Sequence, residues 1–131
     1  MVARITSFIL RLCGSLAVIL GLVFWTGNAM NLIPIHMLLG ILVVLALWVL
    51  GVGQALARGG SWPLAIGALL LGVIVVFFGM RQSSIMPGSF HWVVRVVHLL
   101  LGIAAMGVGQ NAAARWRNTS PMREEQPSTA A

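Results

Sequence analysis

Two histidines in this chain sit in nearly the same local sequence. His36-Met37-Leu38-Leu39-Gly40-Ile41 and His98-Leu99-Leu100-Leu101-Gly102-Ile103 agree at five of six positions, and both runs close on Gly-Val-Gly-Gln, at residues 51–54 and 107–110. Imidazole titrates near neutral pH and, when neutral, is a good metal ligand. Two imidazoles in matching contexts suit axial ligation of a haem iron, which needs nitrogen donors, a quinone site, or a proton relay. A glycine one turn beyond each histidine removes the side chain that would collide with a flat macrocycle. Arg95, one turn before His98, is placed to pair with a propionate through a charge-assisted bond. The candidate site is therefore His36, His98, Arg95, Gly40 and Gly102, with the two histidines as iron ligands.

Other chemistry is poorly served. Zinc asks for three or four ligands. The third histidine, His91, lies about 10 Å along a helix from His98, and no aspartate exists anywhere in the chain. No Ser–His pair has a spacing that suggests hydrolysis, since Ser83, Ser84 and Ser89 belong to a loop. Covalent catalysis is the less favoured expectation. Cys13 is alone, so it forms no internal disulfide, and it reads as a small buried thiol.

The elements that must position the histidines follow from composition. The chain has 131 residues, 60% of them hydrophobic and only 8% charged. A soluble domain carries roughly 25% charged residues, so this chain cannot cover itself for water. Its apolar residues fall into four runs, at residues 5–26, 33–57, 62–80 and 90–114, each near the 20 or so residues that cross a bilayer. The spacing predicts an all-α integral membrane four-helix bundle over residues 1–117, left-handed by default, with a disordered polar tail at 118–131. Breakers separate the runs: Gly27-Asn28 and Pro34, Gly59-Gly60-Ser61 and Pro63, and Pro87-Gly88-Ser89. Residues 1–29 also fit a cleavable signal peptide, which would leave three spans.

The formal charge of +6 comes from eight arginines against Glu124 and Glu125. Most of these arginines stand at the ends of apolar runs, which marks topology and contact with anionic lipid rather than nucleic-acid binding. Arg4, Arg11, Arg58, Arg115, Arg117 and Arg123 fall on one side, and Arg81 and Arg95 on the other. That imbalance predicts both termini in the cytoplasm of a bacterial inner membrane. Trp25 and Trp92 mark the outer boundary, and Trp62 and Trp116 the inner one. Trp48 is the exception, packing inside or facing lipid.

The second and fourth spans then run the same way, so His36 and His98 enter from one side at similar depth. At 100° per residue, Gly40, Val43, Leu47 and Gln54 fall within about 40° of His36, and Gly102, Ala105 and Gly109 within about 40° of His98. Arg95 is about 60° from His98, and Gln110 about 120° off that stripe. His91 beside Trp92 reads as an interfacial cap. Gly51 with Ala55, and Ala105 with Gly109 and Ala113, are small residues a turn apart that let helices approach closely in lipid.

On the His-x-x-x-Gly pattern, the second and fourth spans resemble small b-type cytochromes and the haem-bearing membrane anchors of respiratory enzymes. That resemblance implies a haem b between them. With its segments at residues 31–36 and 91–98, the whole chain looks like small uncharacterised bacterial four-helix membrane proteins. This second likeness implies an accessory subunit of a larger membrane complex, or a homo-oligomer. In size alone the chain is similar to small multidrug exporters, which couple protons through a glutamate that the first span here lacks. Three readings stay open: a redox or accessory subunit holding haem b or quinone, a small transporter or proton-coupled permease, and a purely structural subunit.

Overall fold

The computed structural model describes residues 1–119. Four helices follow one another up and down: α1 Val2–Trp25, α2 Ile33–Leu56, α3 Trp62–Arg81 and α4 His91–Thr119, with a 3₁₀ turn at Met30–Leu32 leading into α2. The fold is the all-α membrane bundle that composition predicts. The helices hold 24, 24, 20 and 29 residues, so at 1.5 Å per residue each reaches across a hydrocarbon layer of about 30 Å. All four are apolar enough to do so. Their outer faces suit lipid, not water: Phe8, Ile66, Leu70, Phe77 and Leu100 are each more than half exposed.

Helix α4 runs five residues past the expected end at 114. Local bonds carry its polar last turns. Arg115 Nε donates to Asn111 Oδ1 at 3.3 Å and Thr119 Oγ1 to the Arg115 carbonyl at 3.1 Å, and cations near a helix C-terminus complement its dipole. Asn118 and Thr119, assigned to the tail by sequence, are therefore helical. The rest of that segment lies outside the described residues.

The short connections are closed by specific contacts. Pro34 and Pro63 occupy the first turns of α2 and α3, where a missing N–H costs little. Gly27 and Gly59 take left-handed backbone at φ +79° and +71°, the conformation glycine adopts without a Cβ penalty. Gln54, fully buried, clasps the second turn: its Nε2 donates to the Ser61 carbonyl at 2.7 Å, and its Oε1 accepts from the Ser61 N–H at 3.1 Å.

Helices α2 and α4 form the central pair. α1 and α3 each pack on both of them rather than on each other. Small residues permit the close approach. A Cβ on Gly51 would lie 2.8 Å from the Ala68 Cβ of α3, and one on Gly109 would overlap Leu10 of α1. The core of Leu10, Leu47, Leu50, Ala105, Ala112 and Ala113 is fully buried and fills the half of the bundle away from the histidines. In that half Ser7 Oγ donates to Gln110 Oε1 at 3.0 Å and accepts from Arg11 at 3.3 Å. Gln110, off the histidine stripe in the helical projection, thus points to α1. Trp48 packs against Gly72 of α3 and is partly buried, its indole nitrogen without a partner.

Candidate functional site

At the other end of the bundle the two matched histidines meet. His36 sits in the first turn of α2, and His98 two turns into the longer α4. Their ring centroids are 6.3 Å apart and the rings are tilted by 57°. Both side chains are half-buried, and each Nδ1 is shielded with no hydrogen-bond partner. A shielded polar atom without a partner is costly, the more so in hydrocarbon. The Ala17 backbone of α1 stands within hydrogen-bonding reach of the His36 ring.

The flanking helices build the walls. Gly21 of α1 packs on the His36 ring: a Cβ there would stand 3.5 Å from Cε1. Gly79 of α3 does the same for His98, at 3.4 Å from Cε1. Each ring therefore rests on a glycine of the helix that precedes it, so the hairpins α1–α2 and α3–α4 supply equivalent half-sites. The Phe24 ring adds an edge contact to His36, with centroids 5.4 Å apart at 71°.

Gly40 and Gly102 behave differently. A Cβ built on either meets nothing within 4 Å, so both look onto open space beside the rings. Arg95 is exposed and makes no hydrogen bond or ion pair among the described residues. His91 caps the start of α4, with its Nδ1 3.4 Å from the Ile85 carbonyl of the preceding loop, and takes no part in the pair. Sequence reasoning singled out Gly40 and Gly102 but missed Gly21, Gly79 and Phe24. Nothing in their local sequence marks them; the only hint is that each lies in the last turns of a helix entering the histidine end.

The spacing of the two rings can be compared with what a metal shared by two imidazoles would need. A metal–nitrogen bond of about 2.0 Å on each face, plus about 1 Å from nitrogen to ring centre, puts two axial imidazole centroids about 6 Å apart. That matches the spacing found here. Each Nδ1 is covered by protein and each Cε1 edge lies against Gly21 or Gly79, so a metal shared by the two rings would require them to turn from the positions they hold here. Among the described residues no three His, Cys, Asp or Glu side chains gather as a metal set. Comparison with protein-family models, curated proteins and solved structures finds no match to this chain.

Proposed function

We propose that the protein is a small membrane redox subunit that holds a haem b between α2 and α4, with His36 and His98 as axial ligands. The observation that carries this reading is the facing imidazole pair, 6.3 Å apart, with a shielded and unpartnered Nδ1 on each ring. A bound haem supplies one-electron transfer. The chain's own residues would hold it: His36 and His98 would supply the nitrogen donors, Gly21 and Gly79 would leave the rings room to turn, and Gly40 and Gly102 would leave space for the macrocycle. Arg95 stands one turn nearer the water, where its long side chain can swing to a propionate.

The arginine asymmetry supports a reading in which both termini are cytoplasmic and the histidines lie toward the outer face of a bacterial inner membrane. There the subunit works in a larger membrane complex or as a homo-oligomer. A permease reading would need a polar route past the histidines. Leu10, Leu47 and Leu50, all at 0% exposure, fill the bundle on the far side of the site, which favours electron transfer over passage of a solute.

The test is a visible spectrum of protein produced with ample haem. A Soret band and a reduced α-band that both disappear in His36→Ala and in His98→Ala are the expected result. A colourless protein that stays colourless on addition of haemin refutes the proposal.

A further inference from the structure

At the end of the bundle opposite the histidines, two grooves meet at Trp116. The first lies between the start of α1 and the end of α4, lined by residues 1–5 together with Trp116 and Arg117. The second is apolar and runs along α2, past Leu45, Val49, Val52 and Leu56, to Leu69 of α3 and the same Trp116. The indole is fixed between them because it lies against Gly53 of α2, where a Cβ would overlap the ring.

The first groove is strongly cationic. Arg4 and Arg117 both line it and both are exposed. Arg11 donates to Ser7 and Arg115 to Asn111, whereas the side chains of Arg4 and Arg117 have neither a hydrogen bond nor a carboxylate partner among the described residues. No Asp or Glu occurs anywhere in residues 1–119. Arg4 is the third residue of α1, and Arg117 stands two residues before the end of α4. Both therefore lie at headgroup depth when the helices cross.

We infer that this end of the bundle binds an anionic glycerophospholipid, its phosphate between Arg4 and Arg117 and one acyl chain along the apolar groove beyond Trp116. Guanidinium groups match phosphate oxygens in a bidentate manner. Basic pockets between transmembrane helices are a recurrent way to hold acidic headgroups. The adjoining apolar groove favours a lipid over free phosphate, because it gives the site a second half that an inorganic anion leaves empty. The site is independent of the histidine pair.

The test uses the full chain in phosphatidylcholine nanodiscs, titrated with phosphatidylglycerol and read by lipid retention in native mass spectrometry. Parallel arms use added phosphatidylcholine and inorganic phosphate. Phosphatidylglycerol is retained, and the double variant Arg4→Gln/Arg117→Gln weakens it roughly thirtyfold, as expected for the loss of two interfacial arginines. The charge-matched control Arg58→Gln/Arg115→Gln changes retention less than about threefold, because those residues lie outside the groove. Equal retention of the two lipids, an equal loss in the control pair, or inorganic phosphate competing as well as the lipid would each overturn the assignment.

Discussion

Replacing Gly40 and Gly102 by leucine separates an open slot beside the histidines from a mere gap in the lipid-facing surface. In the protein alone neither substitution meets an obstacle at Cβ, since nothing lies within 4 Å of either position. Both residues are helical, and glycine in a helix interior costs about 1 kcal/mol relative to a good helix former. The haem-free variants should therefore be as stable as the parent, or more stable by roughly 0.5–1 kcal/mol each. With a macrocycle between α2 and α4 the sign reverses. Four added carbon atoms then press on a filled site, and overpacking of that kind costs about 1–3 kcal/mol. At 1.4 kcal/mol per tenfold, this weakens haemin binding roughly 5- to 150-fold for each substitution. The assay pairs a haemin titration followed at the Soret band with thermal unfolding of the haem-free protein in the same detergent. Parent-like haemin affinity in both variants would falsify the slot, and a destabilised haem-free bundle would show that the space is already taken.

The walls and the far half of the bundle give further expectations. Gly21→Ala and Gly79→Ala place a methyl group at ordinary contact distance from the rings and should leave the visible spectrum intact, whereas Gly79→Leu should displace His98 and abolish the low-spin signature. If Gly79→Leu retains the parent spectrum, α3 does not position that ring. Gln54→Leu leaves the Ser61 N–H and carbonyl without their clasp and should cost about 1–3 kcal/mol in a reversible unfolding titration. An unchanged midpoint would mean that water replaces the glutamine. Gly109→Leu drives a side chain into Leu10 and Leu47 and should cost about 3 kcal/mol, visible as loss of the folded species in mild detergent. His91→Ala removes only a cap on the α3–α4 loop, and its haem spectrum should match the parent.

The sequence made the bundle and the histidine pair legible for one reason: both depend on patterns repeated along single helices. Four long apolar runs in a nearly uncharged chain leave few architectures, and identical placement of His36 and His98 on two helices of the same direction brings them to one level. Gly51 and Gly109 were legible too, because small residues spaced by a turn mark close packing whatever the partner. The walls were not. Helix α3 and the second half of α1, residues 16–25, are apolar almost all round, so no polar face there announces which side turns inward. The contacts of Gly21, Gly79 and Phe24 depend on that rotation. Arg95 was drawn toward His98 by its position on α4, yet the side chain lies exposed, because nothing nearby in the described chain offers it an anion. Polarity does not end α4 at residue 114, because Arg115 is held by Asn111 and Thr119 by the carbonyls of Arg115 and Trp116 within the last turns.

The division of the site between two hairpins has a consequence for biogenesis. During synthesis the first hairpin emerges carrying His36 against Gly21 and Phe24, before the second imidazole exists. Only when the last span has been threaded into the bilayer does the second ring arrive opposite the first. Any ligand that needs both rings would therefore have to wait for a finished chain, and a polypeptide stalled after α3 would carry only half of the pair.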